Sequence, residues 1–422
     1  MLQTIKKMWR IPELRSKLLY TLGMLIIFRL VSVVPAPGVD TARVFATAGQ
    51  NKLPLLELVN MMTGNAFQNM TIMAMGITPY INASIIMQLL TVAIPALERM
   101  QQDEEGGGPQ KIARITRYVT VGLALVQAIG LVSGLGYIKS GWTNYALVGI
   151  SMAGGAAFAM WLGERITEKG IGNGISMLIM VGIVSNLFNG VTSGFRNAST
   201  TSAFLNVLII IVLFVVMTIV VTFVDMAERR IPLQIAKQVK GRRVYGGQNT
   251  HMSLKVLSVG VMSLIFAYSF LAFPGTIIQL IGGTKSGGYI WWQRYMGTGS
   301  VLYMLVSMLL IIAFTYFYSA IAFDPKKQSE QLIQQGAVIP GTRGKNIRSY
   351  LANIVSRLNL FQALFLAVLA TVPTLMTAKL QLAIPFAASS ILIAVSVSLE
   401  MIRAIKGEMS IRGVDAGNEG FM

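Results

Sequence analysis

The sequence predicts an all-α membrane protein: ten transmembrane helices in two inverted five-helix halves, with one short re-entrant helix after the first span. Three observations predict it. The 422 residues are 54% hydrophobic and only 12% charged, with mean hydropathy +0.63, whereas soluble domains carry roughly 25% charged residues. Ten apolar stretches have the length of about 20 residues that a bilayer crossing requires. The basic residues of the loops alternate from side to side across all ten.

The spans fall at about Leu18–Val34, Met73–Leu97, Tyr118–Gly136, Tyr145–Leu162, Gly174–Val191, Phe204–Val224, Val256–Leu280, Val301–Phe323, Leu358–Met376 and Ile384–Ile402. The basic N-terminal stretch MLQTIKKMWRIPELRSK leads into a run without a small-residue cleavage site, so that run reads as a retained first span. With both termini in the cytoplasm, 27 of the 35 Lys and Arg face inward and seven outward, leaving Arg29 within span 1. A miscounted span would scramble that bias.

Five crossings per half make the second half, 192–422, start on the opposite side from the first, 1–191, which permits an inverted repeat. Between spans 1 and 2, Pro35–Ile72 contains LLELVNMMTGNAF, apolar enough to bury but too short to cross. A re-entrant helix and an amphipathic surface helix both fit it.

Charge concentrates in two cytoplasmic loops, about 227–255 and 324–357. The first holds Arg229, Arg230, Lys237, Lys240, Arg242, Arg243 and Lys255; the second holds Lys326, Lys327, Arg343, Lys345, Arg348 and Arg357. Topology and attraction to anionic lipid explain part of this. The loops exceed what topology requires, and Gly-Arg-Arg and Pro-Gly-Thr-Arg sit where turns would project guanidinium groups, whose planar forks pair with phosphate or carboxylate. A polyanionic or acidic cytoplasmic partner fits, ribosomal RNA and an acidic motor surface equally.

Several function classes lose ground. Zero Cys removes thiolate metal sites and thiol nucleophiles, and His251, the lone imidazole, lies in a polar loop. Carboxylate-coupled transport needs acidic groups inside the membrane, yet Asp225, Glu228 and Glu400 fall at cytoplasmic span ends. There is no Walker A pattern. No cofactor is expected, and an enzyme is disfavoured. KGIGNGIS opens span 5 with Gly170, Gly172 and Gly174, small residues that permit a tight turn or close backbone approach.

MGITPYINASIIMQLLT (75–91), MWLGERITEKGIGNGIS (160–176), GRRVYGGQNTH (241–251), LKV and GVMSLIFA (254–267), FYSAIAFDP (317–325) and GAVIPGTR (336–343) together resemble the SecY family of bacterial protein-translocation channels. The similarity runs in order from the first span to MIRAIKGEMSIRG. The resemblance implies an hourglass channel in the inner membrane, hinged on one side and opening laterally to lipid on the other. It assigns a pore ring to Ile77, Ile81, Ile175, Ile179, Ile265 and Ile393. It places a plug at about 55–66 with Asn60, Met61, Met62 and Gly64, and a lateral gate that includes Gln88 and Leu257. It assigns Arg242, Arg243 and Arg343 to docking of the ribosome or the motor ATPase SecA, and implies SecE and SecG as companion subunits. Signal sequences, nascent polypeptides and membrane lipid would be the other partners. The residues themselves say only that 77/81 and 175/179 are i,i+4 pairs on one helix face, and that an apolar constriction resists ions by dewetting.

Four positions depart from the family pattern: Leu257 stands for an Asn, Ser263 for a Pro, Ala387–Ala388 for Gly-Gly, and Gly344 follows Arg343 where Pro is usual. They bear on gate energetics, and Leu257 and Ala387–Ala388 keep open an accessory, substrate-restricted translocon. The contrasting class is an inverted-repeat small-solute transporter, disfavoured by the charge-poor spans.

Overall fold

The computed structural model describes residues 9, 11–40, 63–103, 106–135, 141–196, 201–235, 238–240, 243–245, 249–282, 287–297, 300–342, 346–380 and 388–411. Among these, ten helices have sixteen residues or more and match the ten expected spans one for one. They are α1 (Pro12–Val31), α2 (Thr78–Ala93), α4 (Gly108–Leu135), α5 (Trp142–Lys169), α6 (Gly174–Arg196), α7 (Thr201–Asp225), α8 (Gly260–Gly282), α10 (Val301–Ala322), α12 (Ile347–Leu380) and α13 (Ala388–Ile411). Shorter helices are α3 (Pro95–Gln102), α9 (Gly287–Met296) and α11 (Pro325–Gln334).

Six helices are long and apolar enough to cross a bilayer unaided, and the bent pair α2–α3 makes a seventh. Of the rest, α1 carries Arg15, Lys17 and Arg29, α13 carries Glu400, Arg403 and Lys406, and the apolar stretch of α8 over its described side chains is Met262–Leu271. The exposed faces are those of a lipid-embedded protein: Ile219 and Phe223 of α7 and Leu305 and Leu309 of α10 are each at least 60% exposed. Apolar surface of that extent requires an apolar solvent or a partner.

Helix ends follow local chemistry. The second span is shorter than expected because Met73–Ile77 form turns and the helix breaks at Ile94, whose extended backbone (φ −111°, ψ 110°) is what a following proline imposes. The chain there bends by 107°. Ser300 caps α10 by accepting from the Tyr303 amide at 3.1 Å, and Asp324 caps α11 by accepting from the Lys326 amide at 2.8 Å.

The KGIGNGIS segment is a tight turn and a close approach together. Asn173 caps α6 by accepting from the Ile175 and Ser176 amides at 3.1 and 3.3 Å. A Cβ on Gly174 would lie 2.1 Å from the Gly163 carbonyl oxygen and 2.6 Å from the Ile166 Cβ. Gly174→Ala is therefore expected to cost about 1–3 kcal/mol through overpacking. Gly154→Ala, where nothing lies within 4 Å, serves as the neutral control. The two thermal midpoints in detergent check this; equal midpoints would contradict it.

The helices pack in a continuous chain of neighbours: α1 on α5 and α6, α2 on α4 and α5, α4 on α5, α5 on α6, α8 on α10, α10 on α12, and α13 on α7, α8 and α12. The first five meet the last five along two lines. On one, α6 packs on α7 and α13, and Lys17 of α1 pairs with Glu408 of α13. On the other, α4 packs on α8, and the Tyr318 hydroxyl of α10 donates to Oε1 of Gln88 in α2.

The basic loops contain strands that the helical pattern does not announce. β1 (Glu228–Ile235) pairs antiparallel with β4 (Asn249–Lys255), with Arg230 opposite Ser253 and Pro232 opposite His251. β1 also pairs with β5 (Ala337–Val338) from the second loop, which joins both loops in one three-stranded sheet of order β4-β1-β5. β2 (Gln238–Lys240) and β3 (Arg243–Tyr245) pair antiparallel in a separate two-stranded sheet. Ile231 and Leu233 pack with Leu332 of α11, Ile339, and Ile347 and Leu351 of α12.

Candidate functional site

A cavity of about 470 Å³ lies among α2, α6, α8, α10 and α13. Its lining includes the apolar Ile81, Ile175, Ile179, Ile265 and Ile393, the charged Asp225, Lys255, Glu400 and Arg403, and Gln88, Leu257 and Tyr318.

The six isoleucines come together. Ile77, Ile81, Ile179 and Ile393 are at most 9% exposed and belong to one apolar cluster, against which Ile175 and Ile265 pack. Ile77 is the one of the six that does not line the cavity; it precedes the first turn of α2. Sequence spacing explains the 77/81 and 175/179 pairs. Bringing α2, α6, α8 and α13 to one point is long-range packing, and the same cluster takes in Phe28 of α1 and Ala66.

Gln88 and Leu257 occupy different environments. Gln88 is half-buried and accepts the Tyr318 hydroxyl, while the Tyr318 ring lies 4.7 Å from the Phe266 ring of α8. Leu257, 5% exposed in the turn before α8, joins a second apolar cluster with Val221, Leu264, Ile311, Leu366 and Leu392. Ser263, where the family pattern has Pro, is fully buried and donates to the Gly260 carbonyl at 3.0 Å. Ala388 begins α13, whereas Ala387 lies outside the described residues.

Two polar arrangements were not anticipated. Arg403 of α13 reaches Asp225, at 3.1 Å to its carbonyl oxygen and 3.6 Å to its carboxylate, and Ser396 donates to the same carboxylate at 3.3 Å. Gln362 of α12 is fully buried. With its amide turned to match donors with acceptors, it accepts from the Gly260 and Val259 amides at 2.8 and 3.1 Å and so caps α8. A lone glutamine in an apolar span was the available signal.

Among the plug residues, Gly64 is described and Asn60, Met61 and Met62 lie outside the described residues. Gly64 is buried, with φ +62°. Arg242 and Arg343 likewise lie outside; Arg243 pairs with Lys240 across the β2–β3 hairpin. On the same side of the molecule, Arg229 and Arg230 of β1, Lys255 of β4, Lys326 and Lys327 of α11, and Arg348 and Arg357 of α12 are exposed. His251 is exposed on β4. No cluster of three or more His, Asp or Glu suited to a metal occurs among the described residues.

Comparison with known proteins gives one answer at three levels. The SecY family model matches residues 71–402. A protein translocase subunit SecY from Streptomyces scabiei is 38% identical over the full length of both chains. A solved SecY, described as one whose plug domain stabilizes the closed state of the translocation channel and maintains a membrane seal, superposes with TM-score 0.67 at 19% identity. It covers 96% of this chain and 95% of its own. Sec61 in the canine ribosome–channel complex from the endoplasmic reticulum gives TM-score 0.63 at 18% identity, with the same coverage.

Proposed function

The chain belongs to the SecY family, and on that premise we propose that it is a protein-conducting channel. It passes unfolded polypeptide across the bacterial cytoplasmic membrane and releases apolar segments sideways into lipid. The observation that carries this reading is the meeting of six isoleucines, brought by four helices and the residue that precedes one of them, in one apolar cluster, with five of the six lining a cavity. Branched apolar side chains deform around an extended peptide, offer ions no ligand, and keep water out when the path is empty.

The lateral gate is the line where α2 and α4 meet α8 and α10, with the Gln88–Tyr318 bond crossing it and Leu257 packed behind it. The line through α6, α7 and α13 is the hinge, so the two halves divide after α6. A signal helix that is apolar enough replaces the contacts of the first line. The plug at about 55–66 closes the outer side, with Gly64 at its inner-packed end. The termini are cytoplasmic, as the loop charges favour.

SecE and SecG are the expected companion subunits. SecA or the ribosome supplies the drive by docking on the basic sheet and on Arg242, Arg243 and Arg343; the likeness to Sec61 in a ribosome–channel complex supports the second choice.

The chain's lack of Cys makes the test direct. Single cysteines at Ile81, Ile179 and Ile393 are expected to crosslink to a translocating chain stalled in the membrane, and cysteines at Ile219 and Leu305 are not. Crosslinks at the exposed controls alone, or solute uptake with no waist crosslink, would refute the conduit.

A further inference from the structure

Arg29 is an ionisable side chain inside a span to which the conduit mechanism gives no task. It lies in the last turn of α1, where a charge within the membrane is costly and calls for a defined partner. Among the described residues its two acceptors are neutral oxygens. Nη2 donates to Ser185 Oγ of α6 at 2.5 Å, and Nη1 makes a long 3.4 Å contact with the Gly64 carbonyl oxygen. A planar guanidinium can serve both because its donors are fixed in a fork.

The Gly64 position is built around that group. Its φ of +62° favours glycine, and a Cβ there would fall 2.4 Å from Arg29 Nη1 and 3.1 Å from the Gly182 carbonyl oxygen of α6. Two residues on, Ala66 is 1% exposed and enters the isoleucine cluster together with Phe28, one residue before Arg29, and Ile183, two before Ser185. Polar and apolar contacts therefore pin the same short stretch to the same two helices.

We propose that Arg29 and Ser185 form a clasp holding the Gly64–Ala66 stem against α6, and that this clasp sets how readily the stem leaves the waist. Arg29 is a positioning residue: it acts through the Gly64 backbone and does not touch substrate. Ser185 orients the guanidinium so that Nη1 faces the Gly64 carbonyl, and loss of either bond loosens the stem. The clasp rests on the reading of 55–66 as the plug, but its geometry involves only Arg29, Gly64 and Ser185.

The test uses the whole channel in membranes with a single cysteine from Ala66→Cys, probed by the reaction rate of a membrane-impermeant thiol reagent applied from outside, with ion flux measured in parallel. Loss of a hydrogen bond to a charged group predicts roughly a tenfold rise in labelling rate for Arg29→Met. Ser185→Ala, which leaves the charge in place, is expected to raise it severalfold, and Arg29→Lys to fall between wild type and Arg29→Met. Labelling unchanged in Ser185→Ala and Arg29→Lys, both well folded, would overturn the clasp whatever the flux does. Labelling that rises while flux stays at background would uphold the clasp and count against the stem as part of the membrane seal.

Discussion

Leu257→Asn is expected to lower the signal-sequence hydrophobicity needed to open the channel, and Tyr318→Phe to lower it by a smaller step. Leu257 is 5% exposed among Val221, Leu264 and Ile311. Replacing it with an amide loses roughly 2–3 kcal/mol of apolar burial and sets a polar group among apolar side chains. Tyr318→Phe keeps the ring against Phe266 and removes only the hydroxyl that reaches Gln88. Because Gln88 borders the cavity, the loss falls at the lower end of the usual range for an unpaired group, about 1 kcal/mol. That is a roughly fivefold shift toward the open gate, equal to one or two methylene groups at ~0.8 kcal/mol each.

Export of a graded signal-sequence series reads both effects. The pair Gln88→Leu with Tyr318→Phe removes both partners together and should return the threshold close to wild type, since deleting a matched pair is nearly neutral. An unmoved series in Leu257→Asn would mean that this residue does not weigh on the gate. A pair no different from Tyr318→Phe alone would remove the Gln88 bond from the mechanism.

What was legible in the sequence follows the range of the interactions involved. Span length and loop charge are local quantities, and each of the ten expected spans has its helix. The i,i+4 isoleucine pairs are equally local, so their common face could be read directly. The convergence of Ile77, Ile175, Ile265 and Ile393 could not; it came from resemblance, and it depends on packing between helices far apart in the chain.

The Tyr318–Gln88 bond joins residues 230 positions apart, which no local pattern encodes. The break before Pro95 was readable, because the residue preceding proline avoids helical backbone. So was β1: Ile231 and Leu233 alternate with Arg230, Pro232 and Gln234, the period-2 signature of a half-buried strand. The positive charge of the loop drew the reading toward projecting turns instead. Family membership also removes the small-solute transporter, which composition alone only disfavoured.

The strands change what the basic loops can do, and with it the expected outcome of reversing their charge. Because β5 pairs with β1, with Gln234 opposite Val338, the two loops form one surface on a shared apolar base. Ile339, 1% exposed, anchors the second loop, and a turn closed by the Thr342 amide on the Ile339 carbonyl at 3.1 Å leads directly to Arg343. A charge delivered from an anchored turn loses less conformational freedom on docking than one on a free loop.

Arg343→Glu is therefore expected to cost about 2–5 kcal/mol in partner binding, roughly thirtyfold or more, as for a charge pair broken at an interface, while the channel still assembles in the membrane. Arg114→Glu, an exposed position of the same sign on α4, should cost much less. Binding to ribosomes and to SecA, each followed across a salt series, separates the two drivers. The partner whose affinity falls and whose salt dependence flattens in Arg343→Glu is the one that reads this surface, because fewer counterions are then displaced on binding. If both partners bind Arg343→Glu as they bind the unaltered channel, and translocation proceeds normally, Arg343 has no part in docking.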